Sequence, residues 1–146
     1  MGYHDDLMDH AISLCDAAAG EVDLRRAVSA AYYSLFHLLT TEAALNWKHE
    51  RQRNDFARMF DHGRMKAASE SRKALQGPMG LVAKSFVTLQ EARHKADYDN
   101  SRAWSQAEVW GIITVALDAK AAWSEIRERD IAQDYLLDLF VLKRKT

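Results

Sequence analysis

The sequence predicts an all-α protein, and three observations carry that prediction. Gly and Pro are scarce, six and one in 146 residues, so few turns are signalled. Apolar residues recur at three- and four-residue spacing over long stretches, the period of a helix with one buried face. Ser105-Gln106-Ala107-Glu108 is a capping box, in which serine and glutamate each satisfy the other's backbone N–H at a helix start. The length suits one domain spanning residues 1–146.

The first helix is expected from Tyr3 to Ala19, with Leu7, Ala11, Leu14 and Ala18 as its buried stripe and Gly20 as the glycine that ends it. Asp23 is placed to cap a second helix running from Leu24 to about Trp47. Its stripe is Leu24, Val28, Ala31, Tyr32, Leu35, Leu38 and Leu39, and Glu42 ends the apolar run. Phe56, Met59 and Phe60 suggest a short helix, His62-Gly63 breaks the pattern, and another helix is possible over Arg64 to Leu75. Gly77-Pro78 is the clearest break. A helix follows from Met79 to Ala96 with Leu81, Phe86, Leu89 and Ala92 inside, then a loop over Asp97 to Ala103. The capped helix places Val109, Ile112, Ala116, Ala119 and Trp123 in the core and ends near Arg129. A last amphipathic segment, Ile131 to Leu142, can dock on the bundle or pair with a partner chain. Four main helices with short connections, plus one or two short extra helices, make an up-and-down bundle the expected architecture.

Composition narrows the function classes. A single cysteine, Cys15, rules out an internal disulfide framework and points to a cytoplasmic location. Cys15 lies among Leu14, Ala17 and Ala18 and reads as a buried structural residue rather than a nucleophile. The longest run without Asp, Glu, Lys or Arg is Ala27 to Thr41, too short for a membrane span. The opening Met-Gly-Tyr-His-Asp-Asp has neither the basic start nor the apolar run of a secretory signal. Net charge is −1, but residues 1–24 hold six acids and no Lys or Arg, whereas Lys48 to Lys73 holds eight Lys or Arg and four acids, and the last residues include Lys143, Arg144 and Lys145. The basic middle is either a solvated helix surface or a face for an acidic partner.

No metal site and no cofactor are expected. A di-metal bundle needs two Glu-x-x-His motifs, and Glu91-Ala92-Arg93-His94 stands alone. One cysteine and no close histidine pair argue against zinc. The sequence has no phosphate-cradling glycine loop and no Gly-x-Ser-x-Gly elbow.

The densest polar stretch is Arg93-His94-Lys95-Ala96-Asp97-Tyr98-Asp99-Asn100. Arg93 and Asp97 are four apart and face each other on a helix. Two readings fit. In one, the ion pair fixes a helix end and Tyr98 plugs the bundle. In the other, Arg93 contacts a phosphate while His94 or Tyr98 moves a proton. Tyr32 reads as core, with Tyr33 and His37 beside it as packing residues or as the rim of a groove.

Two stretches resemble one known family. Arg26-Ala27-Val28-Ser29-Ala30-Ala31-Tyr32-Tyr33-Ser34-Leu35-Phe36-His37 resembles the R-A-x-S-x-x-Y-Y-A-x-F-H helix of HEPN domains (higher eukaryotes and prokaryotes nucleotide-binding). Arg93-His94-Lys95-Ala96-Asp97-Tyr98-Asp99 resembles the R-x-x-A-D-Y-D block of the same branch. The order matches, and a capped helix follows the second block as it does in the family. His62-Gly63 is a looser match to a His-x-Gly element. The similarity spans about residues 5 to 128.

The resemblance implies a HEPN-like helical bundle, usually a homodimer. Such proteins often act as RNA-cutting toxins or defence components beside a small nucleotidyltransferase antitoxin. Active members share Arg-x4–6-His, and two copies meet at the dimer interface to cut RNA without metal. Histidine then moves a proton and arginine stabilises the phosphorane charge. Here no arginine precedes a histidine with four to six residues between them. The nearest pair is Arg58 and His62, and Asp97-Tyr98 follows Arg93 instead. The resemblance therefore suggests a catalytic centre of Arg93, Asp97, Tyr98 and His62, with Arg26, Tyr33, His37, Arg58, Arg64 and Lys66 touching nucleotide or RNA. Two other functions compete. One is a non-catalytic dimeric module that docks a nucleotidyltransferase or another partner. The other is a small-ligand bundle whose pocket uses Trp47, Trp104, Trp110 and Trp123.

Overall fold

A computed structural model describes residues 2–17 and 20–140. The helices are α1 (Tyr3–Ala17), α2 (Glu21–Leu45), α3 (Arg53–Ala57), α4 (His62–Glu70), α5 (Pro78–Tyr98), α6 (Gln106–Ile126) and α7 (Asp130–Phe140), with a 3-10 turn at Glu50–Gln52. No strand occurs among the described residues, so the all-α expectation holds. Among the described residues four helices are long, and the short ones number three rather than one or two. No described helix is long and apolar enough to cross a membrane.

The centre of the fold is α2, which packs against α1, α5 and α6. Leu24, Val28, Ala31, Tyr32, Leu35, Leu38 and Leu39 are all buried, as their spacing requires. Its start differs from expectation. Gly20 has extended backbone and stands at the N-cap of α2, with no side chain capping the helix. Asp23 lies inside the first turn with Glu21, where both carboxylates complement the helix dipole.

Most expected core positions on the other long helices are buried, among them Ala11, Phe86, Leu89, Ala92, Val109, Ala116, Ala119 and Trp123, and a few positions are off by about one residue. Met8, Ala11 and Cys15 are buried on α1, while Leu7 and Leu14 are only half-buried. Ala18 and Ala19, expected to complete that helix, lie outside the described residues. On α5, Met79, Val82 and Phe86 face inward, and Leu81 is turned out by the 100° step between neighbours. On α6, Ile113 rather than Ile112 is fully buried. The capping box at Ser105 and Glu108 forms with both reciprocal bonds.

The α4–α5 corner depends on two glycines. Gly77 has φ 83°, a left-handed conformation that favours glycine. A Cβ on Gly80 would stand 1.8 Å from the Leu75 carbonyl oxygen. The expected helix over 64–75 begins instead at His62, where Asp61 caps it, and stops at Glu70, before the chain turns into this corner. The last segment docks within the chain. Tyr135, Leu136 and Leu139 of α7 are buried, the Ser69 and Tyr135 hydroxyls are 2.6 Å apart, and Arg72 pairs with Asp138. Leu142 and the Lys143-Arg144-Lys145 run lie outside the described residues.

Candidate functional site

Helical geometry places Tyr32 and Tyr33 on adjoining faces of α2, with Phe36 and His37 one turn further on. Asp61 precedes α4 and accepts the Gly63 N–H at its start. This leaves His62, the first residue of α4, against Tyr32 and Phe36. Arg25 reaches Ala96, Arg93 reaches Tyr33, and Phe86 meets Tyr32, so α5 runs antiparallel to α2 and delivers Gln90, Arg93 and Asp97 to the same place.

The cluster is densely connected. The Tyr32 hydroxyl is 2.5 Å from His62 Nδ1. The imidazole stacks on Phe36 with centroids 4.5 Å apart, and Gln90 Nε2 donates to the His62 carbonyl at 3.2 Å. Arg93 Nη2 donates to the Tyr33 hydroxyl at 3.0 Å. Its guanidinium lies 5.7 Å from the Tyr32 ring centre and 5.5 Å from that of Tyr33, within cation–π range. Arg93 Nε sits 3.0 Å from Asp97 Oδ2 as an ion pair, without the alignment of a hydrogen bond. The two tyrosines therefore link His62 on one side to Arg93 on the other.

This environment sets the protonation states. Burial holds the His62 imidazole below its ordinary range, and the Arg93 charge pushes the same way against an opposing pull from Asp61. Burial likewise lowers His37, helped by His62 and His4. Tyr32 is fully buried, and burial raises its phenol far above the usual value, so it stays a neutral hydroxyl. In the tautomer whose Nδ1 carries the ring proton and donates it to the Tyr32 oxygen, the neutral imidazole has Nε2 free to accept a proton, and a guanidinium beside it can hold an anion.

Arg93, Asp97, His62, Tyr33 and His37 of the expected site thus come together, His37 lying 6.1 Å from Tyr33 between ring centres. The others form no hydrogen bond or ion pair with these five. Tyr98 does not plug the bundle. It is 66% exposed and pairs its ring with His94, because α5 ends there and its side chain falls on the outer face. Arg26 is exposed and forms no hydrogen bond or ion pair with described residues. Its neighbour Arg25 turns inward and binds three backbone carbonyls. Arg64 donates to the Asp138 carbonyl at 3.2 Å and so holds α7. Lys66 stands 3.7 Å from Glu91, on a pocket of about 330 Å³ that also meets Gln90, Arg93 and Lys95. Arg58 lines a separate groove with His37.

The sequence pattern marks Tyr32 as packing and does not single out Gln90. The signal for Gln90 is its position one turn before Arg93 on α5. None announces Tyr32, whose partner is 30 residues away. Among the described residues no three His, Cys, Asp or Glu side chains gather as a metal-holding group. No family model, no curated protein and no solved structure matches the chain.

Proposed function

We propose that this chain is a HEPN-like, dimeric RNA- or nucleotide-associated protein of a toxin–antitoxin or defence system, acting as a metal-independent endoribonuclease. One observation carries the reading. Arg93 and His62, from different helices, meet across the Tyr32–Tyr33 pair, and this cluster gathers residues from all three stretches that bear the resemblance. In the reaction, His62 takes the proton from a ribose 2′-hydroxyl. The 2′-oxygen bonds to phosphorus, the bond to the 5′-oxygen breaks, and that oxygen leaves with a proton from water. Arg93 offsets the charge on the phosphorane. The products are a 2′,3′-cyclic phosphate and a 5′-hydroxyl.

The test is RNA cleavage by the pure protein in EDTA, beside an Arg93→Ala control of matched helical circular dichroism. Cleavage that survives chelation and disappears in the control supports the proposal. A folded wild-type protein that leaves RNA intact overturns the nuclease reading.

A second reading has its own support. Arg93 already holds Asp97 and the Tyr33 hydroxyl, the arrangement of a structural strut, which favours a non-catalytic dimeric module that docks a nucleotidyltransferase or another partner. Growth arrest on expression of the chain alone separates the two, since only the nuclease reading expects it.

A further inference from the structure

The Arg93–His62 cluster has a neighbour. Beyond Phe36, a groove of about 570 Å³ opens between the start of α1, the middle of α2, and α3. Its volume suits a nucleotide-sized ligand. Tyr3 and His37 form one corner, with ring centroids 5.0 Å apart and planes at 74°. Tyr3 is 62% exposed, so an aromatic face is open to solvent beside a second ring. Asn54, Thr41 and Arg58 supply polar groups along the rest of the lining, which among the described residues contains one guanidinium and no carboxylate. Arg58 forms no ion pair with any described residue. Phe36 lines the groove on one side and stacks on His62 on the other, so the groove begins where the cluster ends.

We infer that this groove is a base-binding subsite, in which a nucleobase stacks in the Tyr3–His37 corner and Arg58 neutralises the phosphate attached to it. The inference rests on the proposed function and adds a position to it, the nucleotide next to the phosphate held at Arg93. Three features select this ligand class. An open ring corner favours a flat, weakly polar body, because every base presents a π-face. A lone cation with no carboxylate favours an anion. Side-chain amide and hydroxyl groups offer both donors and acceptors to a base edge or ribose. Burial and the neighbouring histidines keep His37 below its ordinary range, so it presents a neutral ring.

Two probes distinguish a free nucleotide from a strand: AMP, and a fluorescent hexa-adenylate with 2′-O-methyl riboses that cannot be cleaved. Binding is measured for the wild type, Tyr3→Ala, Tyr3→Phe, Arg58→Gln and Arg93→Gln. Tyr3→Ala is expected to weaken the hexamer roughly tenfold or more, with Tyr3→Phe near wild type. Arg58→Gln is expected to weaken it and to flatten the slope of log K against log salt by about 0.7, one phosphate contact on a single strand. AMP alone showing the same Tyr3 and Arg58 dependence also supports the subsite, as one for a free nucleotide. Hexamer binding that depends on Arg93 but not on Tyr3 or Arg58 overturns the subsite and leaves the proposed function standing. AMP binding that depends on Tyr3 and Arg58, with no RNA cleavage and no hexamer binding, keeps the groove and overturns the nuclease reading. No binding of either probe by the folded wild type overturns the subsite.

Discussion

The Tyr32 hydroxyl stands 2.5 Å from His62 Nδ1, and this contact joins the centre of α2 to the first residue of α4. Tyr32 has no solvent exposure, so its hydroxyl has no water to turn to, and His62 is its partner. The contact fixes the imidazole plane, which Phe36 also supports by stacking. It thereby decides which ring nitrogen is left for chemistry.

Removing that hydroxyl is the most direct test of the cluster. Tyr32→Phe keeps the ring that packs on Phe86 and under Arg93 but leaves His62 Nδ1 without its partner. A hydrogen bond of this kind contributes about 1 kcal/mol, so the urea midpoint should fall while the slope stays the same. For a chain of this size the melting temperature should drop by roughly 2–4 °C. An unchanged midpoint would show that the contact stabilises nothing.

The histidines give a pH dependence of definite sign. His62, His37 and His4 are all lowered from an ordinary value of 6.5, each chiefly by burial. In the unfolded chain they bind protons at higher pH than in the folded one. Stability is therefore full above pH 6.5 and is lost as pH falls through their folded values. The lowered carboxylates act in a separate, more acidic window. Asp5 is lowered mainly by its hydrogen bond from Lys120. For Glu42, burial alone would raise the value, and hydrogen bonds from Arg127 and Trp123 outweigh it. Urea midpoints from pH 8 to pH 5 should decline, and a flat profile would contradict the burial argument. Arg93→Gln should raise the His62 titration point seen by NMR, yet leave it below 6.5, because burial outranks the Arg93 charge.

The α4–α5 corner has no slack. A methyl on Gly80 would meet the Leu75 carbonyl oxygen at 1.8 Å, and backbone cannot swing aside as a side-chain tip can. Gly80→Ala should destabilise by about 1–3 kcal/mol, the range for overpacking, despite alanine's better helix propensity. Gly111 is the control. It also lies within a helix, on α6, and a Cβ there meets nothing within 4 Å. Gly111→Ala should hold or raise stability, and equal losses at both sites would rule out the steric account.

What the sequence revealed follows from distance along the chain. Periodicity placed the α2 core and the Arg93–Asp97 pair correctly, because both are local consequences of helical spacing. The serine–glutamate box started α6 for the same reason. The misses were of two kinds. Ile112 and Leu81 sat one residue off their stripes, a 100° error that apolar pattern alone tolerates when neighbours are also apolar. The Tyr32–His62, Gln90–His62 and Arg64–Asp138 contacts cross between helices, and no spacing rule encodes them. The final segment could not be placed from its amphipathic pattern, since a face that fits α4 would fit a partner chain equally well.

Arg25 and Arg26 turn this distinction into an experiment. Adjacent residues point about 100° apart on α2, and the resemblance draws attention to Arg26. The structure instead directs Arg25 inward. Its Nη1 donates to the Ala96 carbonyl at 2.8 Å, and its Nη2 donates to the carbonyls of Asp99 and Arg102. Those oxygens belong to the end of α5 and the loop after it, where helical carbonyls run out of partners. Glu21 holds Arg25 Nε at 3.1 Å and accepts the Trp104 N–H at 2.9 Å, so the pair fastens the α5–α6 loop to the start of α2. Arg25→Ala should cost about 2–3 kcal/mol, the upper range for hydrogen bonds to a charged group, and should speed amide exchange in residues 99–105. Arg26→Ala should stay within about 0.5 kcal/mol, as surface substitutions do. If Arg26→Ala abolishes RNA binding at unchanged stability, the two arginines divide their work, one holding the loop and the other meeting the ligand. Equal destabilisation by both would mean that Arg25 does not fasten the loop.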